Sequence, residues 1–144
     1  MAGAPHSREF ASAVLVDTQG RLLLQQRDNK PGILHPGMIG LFGGHREGDE
    51  TFLECVVREV HEEISYFVPP ERFEPLFSYR GPHPDIGIRT VECFLAGDIP
   101  LDQVRVTEGA LFVAERHELP RQKPQIVPAV WVALQTYLDR MGGA

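Results

Sequence analysis

Apolar and polar positions along the chain change their spacing several times, and each change marks an element. Phe10 to Asp17 alternates in the manner of a strand, Thr18-Gln19-Gly20 reads as a turn, and Arg21 to Arg27 (RLLLQQR) reads as a second strand. Together these segments predict a hairpin. Residues 28–37 carry Pro and Gly turn signals and predict a loop. Met38 to Phe42 is a short apolar segment expected to be a buried strand, and Gly43 to Asp49 is expected to be a glycine-rich loop. Further on, Phe73 to Arg80 and Ile86 to Ala96 again alternate as strands, whereas Val104 to Val113 is broken by Glu108-Gly109. A final helix is predicted over residues 124–140, its apolar stripe formed by Val127, Val130, Trp131, Leu134, Leu138 and Met141. Mixed strands with one helix in the middle and one at the end define an α/β fold, a sandwich of helices and sheet.

The middle helix has the clearest boundaries. Thr51 is placed to cap it, with Glu54 three residues later completing a capping box, and Pro69-Pro70 forbids extension far beyond Ile64 or Ser65. At about 100° per residue, Leu53, Val56, Val57, Val60 and Ile64 gather on a core-facing side. Glu59, Glu62 and Glu63 gather on another, since positions three and four apart are neighbours on a helix. Three carboxylates on one face repel each other unless something neutralises them, and hard divalent cations with oxygen ligands are the natural partner. The ordinary alternative is a solvated acidic face.

Composition narrows the classes. The 144 residues suit one domain, expected over 9–144 behind a loose tail at 1–8. A net charge of -6 argues against a polynucleotide partner, which requires a basic face, but leaves open a small phosphorylated substrate. Cys55 and Cys93 lie in apolar stretches and read as buried free thiols. Met1 to Arg8 has no apolar secretory core and no apolar run reaches the length of a membrane span, so the cytoplasm is the default location.

The segment Gly44 to Tyr66, GHREGDETFLECVVREVHEEISY, resembles the box of the Nudix hydrolase family, G-x5-E-x7-R-E-U-x-E-E-x-G-U with U a bulky apolar residue. Gly44, Glu50, Arg58, Glu59, Val60, Glu62 and Glu63 fall in register, and the box covers about a sixth of the chain. So many fixed positions make a far more specific signal than a lone glycine motif. The departure is Ser65, which stands where the family has the glycine that supplies a left-handed helix end.

The resemblance implies an α/β/α sandwich around a mixed sheet and hydrolysis of a nucleoside diphosphate linked to another moiety. It implies Glu59, Glu62 and Glu63 as ligands of Mg²⁺, with Mn²⁺ able to substitute, and the carbonyl of Gly44 as a further ligand. Glu59 and Glu62 are also candidates for the catalytic base. Arg58 would hold the neighbouring carboxylates, in part through Glu50; the alternative is a surface ion pair of little consequence. Glu108 stands where some members carry a catalytic glutamate, the alternative being a solvated turn residue. Arg27 is placed near the substrate phosphates or, alternatively, is a strand-edge arginine on the surface. His45, inside the box loop, is the histidine expected to approach substrate. His35, His45 and His83 share no zinc-ligand spacing, and Phe77, Tyr79 and Trp131 are explained by core packing as well as by stacking on a base.

Competing classes are a non-catalytic nucleotide-binding module on the same fold, an enzyme of the isopentenyl diphosphate isomerase type, and an acidic domain that binds metal without turnover. The box carboxylates are all present, and Cys93 sits in a strand-like run rather than a catalytic motif. The resemblance also admits a homodimer. Substrate identity lies outside the box: nucleotide sugars, ADP-ribose-like compounds, dinucleoside polyphosphates and nucleoside triphosphates all fit the class.

Overall fold

A computed structural model describes residues 5–33, 35–83 and 87–142. The fold is α/β, a mixed sheet flanked by helices. β1 (Pro5–Asp17) is its spine, parallel to β6 (Gly87–Ile99) on one side. On the other side it pairs antiparallel with β4 (Phe42–Glu47) along its first part and with β2 (Leu22–Gln26) at its end. β2 continues outward to β3 (Ile39–Gly40) and β7 (Ala110–Ala114), and β6 is flanked by β5 (Glu74–His83).

Alternation along β1 divides its side chains between two cores. Ala11, Ala13 and Leu15 face α1 (Phe52–Ile64) and join Leu23, Phe42, Val56, Val60 and Ile64. Val14 and Val16 face α3 (Pro128–Arg140) and join Leu22, Leu24, Leu134, Tyr137 and Leu138. A strand buried on both faces needs an apolar run rather than polar alternation, which is what ASAVLV supplies. Truncating a large side chain fully enclosed in such a core, as Phe42 is, typically costs about 3–5 kcal/mol.

The capping box expected at α1 is present: the Thr51 hydroxyl accepts from the Glu54 amide at 3.0 Å, and the Glu54 carboxylate accepts from the Thr51 amide at 2.7 Å. On its core face Val56, Val60 and Ile64 are buried, while Leu53 and Val57 pack only partly.

Three boundaries depart from expectation. Residues 5–8, expected in a loose tail, belong to β1, which begins at Pro5 and pairs there with Glu47. The glycine-rich segment Gly43–Glu47 is a strand rather than a loop. A Cβ on Gly43 would stand 2.2 Å from the Ala11 carbonyl oxygen, so this glycine allows close strand approach. The final helix begins at Pro128; residues 119–122 form the short α2, and Lys123–Gln125 is a single 3₁₀ turn. Pro128 fits the first turn of a helix but not its interior. Met141, expected in the stripe, lies beyond that helix and is exposed.

Candidate active site

Where β4 ends, Gly48 turns the chain with a positive φ of 53° and delivers it to α1. Glu50 lies in this link. One of its carboxylate oxygens accepts from the Glu47 amide at 2.8 Å, and both accept from Arg58, at 2.7 Å from Nη2 and 3.1 Å from Nε. This two-pronged contact fixes the guanidinium plane. Arg58 Nη1 then reaches Glu59 at 2.8 Å and Glu62 at 3.4 Å, and Nη2 donates to the His45 carbonyl at 3.2 Å. The Glu50 contact first, and Glu59 after it, raise the Arg58 pKa against the opposing effect of burial. The same contact holds the Glu50 carboxyl below its ordinary value.

Glu59 and Glu63 project into an open cavity of about 310 Å³, lined also by Phe10, Gln25, Arg27, Leu41, Gly43, Gly44, His45, Glu47 and Glu108. The Glu59 carboxylate lies so close over Gly44 that an added Cβ would stand 2.3 Å from its carbon. Glu63 is buried, and the Gly43 amide approaches it at 3.4 Å. Burial, then the Glu59 carboxyl beside it, pushes Glu63 well above the ordinary carboxylate range. Glu62 does not line the cavity; its carboxylate turns to Arg58 and solvent, with 58% of the side chain exposed.

Glu108 reaches the same cavity from the segment between β6 and β7. The Arg105 amide donates to the Ile64 carbonyl at 2.8 Å and the Thr107 amide to the Glu63 carbonyl at 3.0 Å, while the Thr107 hydroxyl donates to the Glu62 carbonyl at 3.0 Å. Gln25 Nε2 donates to the Glu108 carbonyl at 2.9 Å. Gly109, at φ +72°, passes so near the Gln26 carbonyl that a Cβ would stand 2.5 Å from it.

Arg27 lines the cavity just past β2, its amide donating to the Met38 carbonyl at 2.9 Å. His45 sits at the rim, edge-on to Phe10 with ring centroids 5.3 Å apart. Burial of its ring, then the charge of Arg89, lowers the His45 pKa, with Glu59 pulling the other way.

Sequence reasoning missed Phe10, Gln25, Leu41 and Glu47. Gln25 left a trace: it is a polar residue on the same face of β2 as buried Leu23. Phe77 and Trp131 pack on the α3 core and Tyr79 is exposed; none of the three lines the cavity. His83 has its side chain outside the described residues. Neither thiol is poised as a nucleophile: burial pushes Cys55 up to about 12 and Cys93 up to about 11. Ser65 takes the left-handed conformation itself, at φ 57°, ψ 27°, with its amide on the His61 carbonyl at 3.1 Å.

Among the described residues no three His, Cys, Asp or Glu side chains already close on a single point as a finished cation site. The groups around Gly44 nevertheless suit a hard divalent cation: every donor is oxygen, and the missing Cβ leaves the Glu59 carboxylate beside the Gly44 backbone.

A helix that gathers carboxylates under a glycine turn, on a mixed sheet between helices, is the signature of one family, and the NUDIX domain matches residues 6–143; the chain belongs to that family, whose members hydrolyse phosphoanhydride bonds in nucleotide-like substrates. It is similar to YfcD of Salmonella typhi, an uncharacterised Nudix hydrolase, with 27% identity over 139 residues, 95% of this chain and 74% of the relative. Among solved structures it resembles a MutT NUDIX hydrolase from Burkholderia pseudomallei at 25% identity and a TM-score of 0.72, covering 90% of this chain and 96% of that one. It also shares the fold of the ORF135 protein of E. coli, at 20% identity and a TM-score of 0.75, over 94% of this chain and 91% of the other. No helix among the described residues is long and apolar enough to cross a membrane.

Proposed function

We propose that this protein is a Mg²⁺-dependent pyrophosphohydrolase acting on a nucleoside diphosphate linked to another moiety. The observation that carries the reading is the pairing of Glu59 with buried Glu63 in one cavity that Glu108 also lines. Carboxylates so close, one of them stripped of water, are poorly compensated by the protein alone and are suited to a bound cation.

Glu59, Glu63 and the Gly44 carbonyl would hold the cation, with Glu62 joining after turning from Arg58. When bound, Mg²⁺ shields the diphosphate and lowers the pKa of a coordinated water. Arg58 positions rather than reacts: its fork to Glu50 anchors the guanidinium, and the remaining donors set Glu59. Arg27, which also lines the cavity, offers its guanidinium to phosphate oxygens. Glu108 accepts the proton of the attacking water, and its loop, fastened to the end of α1, keeps it in reach of the site.

Hydrolysis should be measured over a panel of nucleotide sugars, ADP-ribose, dinucleoside polyphosphates and nucleoside triphosphates, with the phosphomonoester or pyrophosphate products identified. Turnover should disappear in excess chelator and return with Mg²⁺ or Mn²⁺; full activity in chelator overturns the reading. Glu108→Gln should lower kcat by about 10²–10⁴-fold, as loss of a general base does, with little change in KM. An unchanged kcat at every Mg²⁺ concentration removes Glu108 from the chemistry and passes the role to Glu59 or Glu62.

A further inference from the structure

Arg89 is a charged side chain that the architecture does not account for. It lies on β6 opposite Gly81, two residues before Val91, and Val91 pairs with Phe10 of β1. Arg89 therefore shares a sheet face with Phe10, and its guanidinium carbon stands over the Phe10 ring, 5.1 Å from the centroid. That ring lines the cavity and carries His45 on its edge, and the field of Arg89 reaches both His45 and His35.

Arg21, Arg46, Arg58 and Arg140 each hold a carboxylate. Among the described residues no carboxylate pairs with Arg89, and its Nε is buried without any hydrogen-bond partner. The chain is not short of acids, with 20 against 14 Lys and Arg. Burial disfavours the charge on Arg89, and the ring of Phe10 compensates only part of that. A half-buried planar fork with a free edge is complementary to paired oxyanion oxygens.

We propose that Arg89, seated on Phe10, is a substrate-binding residue that takes an oxyanion of the ligand, a phosphate or a carboxylate, at the Phe10–His45 end of the cavity. This rests on the reading of the cavity as a phosphorylated-substrate site. It gives the cavity a polarity: Glu59 and Glu108 line it with acidic side chains, while Arg89 attracts an anion at its Phe10 border whether or not a cation is bound. Ligand orientation is thereby set before the chemistry begins. A contact of this kind appears in KM rather than kcat.

The test is binding in chelator, where no turnover occurs. AMP, inorganic phosphate and acetate are titrated against wild type, Arg89→Gln and Arg89→Lys, with uncharged adenosine as control. The Arg89 Nε–H signal, identified by its loss in Arg89→Lys, should shift on adding AMP. Arg89→Gln should weaken AMP by about tenfold or more, the usual scale for a hydrogen bond to a charged group. Arg89→Lys should lie between, and adenosine should be unaffected. The response to phosphate against acetate identifies the source of the oxyanion. Unliganded Arg89→Gln should melt no lower than wild type, because it removes a cation that Phe10 compensates only in part; a purely structural arginine would lower the melting temperature. The proposal is overturned if no anion moves the Nε–H signal, if Arg89→Gln binds AMP as wild type does, or if AMP and adenosine weaken equally. Should Arg89→Gln not fold, the wild-type signal and Arg89→Lys decide. Arg89-dependent AMP binding in a protein that hydrolyses nothing sinks the hydrolase reading alone. Hydrolysis with unchanged KM in Arg89→Gln sinks the Arg89 role alone.

Discussion

Among the described residues two carboxylates are buried, Asp17 at the far end of β1 and Glu63 on α1, with 3% and 9% of their surface exposed. Their surroundings are opposite. Asp17 accepts from the Gln19 and Arg21 amides, both at 2.9 Å, and from the Arg21 guanidinium at 2.8 Å. Burial would raise its pKa, but these hydrogen bonds outweigh it and hold the carboxyl below its ordinary value. Glu63 has one distant amide, and burial together with Glu59 pushes it up to about 9. At Asp17 the fold satisfies the charge and gains a closed hairpin. At Glu63 it leaves the charge unanswered, as sites that bind ligand at the expense of stability do.

The largest effect should come from Glu63→Gln. Turnover should fall by about 100-fold or more, at or beyond the upper end of the 10–100-fold range typical for loss of a supporting contact around a metal. In chelator the same variant should melt higher than wild type. The pH dependence follows from the raised pKa. The stability Glu63 contributes to the metal-free protein is full below the ordinary carboxyl value of 4.5 and is lost as pH rises toward about 9. Melting in chelator should therefore decline over that interval in wild type and much less in Glu63→Gln. Equal slopes would mean that Glu63 is charged and satisfied, and the contrast with Asp17 would collapse.

Asp17→Ala should do the reverse, lowering stability by about 1–3 kcal/mol, the scale for orphaned partners of a buried acceptor, and leaving kcat unchanged. Because its pKa is depressed, the stability Asp17 contributes is present above the unfolded value near 3.8 and is lost as pH falls through the folded one. Urea denaturation of wild type and variant should converge at low pH. A variant as stable as wild type at neutral pH would show that the turn does not need its acceptor.

The smallest effect is expected at Ser65, close to Glu63 but outside the cavity. A left-handed serine costs about 1 kcal/mol relative to glycine, so Ser65→Gly should raise Tm by roughly 2–4 °C and leave turnover alone. A large fall in turnover at unchanged Tm would reveal a role for the hydroxyl.

The same contrast between local and distant causes explains how much could be read in advance. The capping box of α1 and the acidic face were legible because both rest on residues three or four apart. Asp17 as the end of a strand before a turn was legible for the same reason. β4 was read as a loop because its glycines permit close approach to β1, a partner some thirty residues away that no local pattern announces. The start of α3 was placed early because the turns around Pro120 and Pro124 imitate a helical beginning. Phe10 and Arg89 reach the cavity or its border only through strand register. That Glu62 turns out of the cavity reflects competition for Arg58, a balance of charges rather than a periodicity.

The segment carrying Glu108 looks like a connector, yet its amides complete the carbonyl ladder at the end of α1. An insertion there would fray the helix that holds Glu63, so its length is fixed in a way that surface connectors are usually not. Among the described residues the stretch between β2 and β3 makes no backbone hydrogen bond to α1, and only Arg27, where that stretch begins, lines the cavity. A chimera exchanging residues 104–109 should therefore lower stability, whereas one exchanging 28–37 should leave the end of α1 intact.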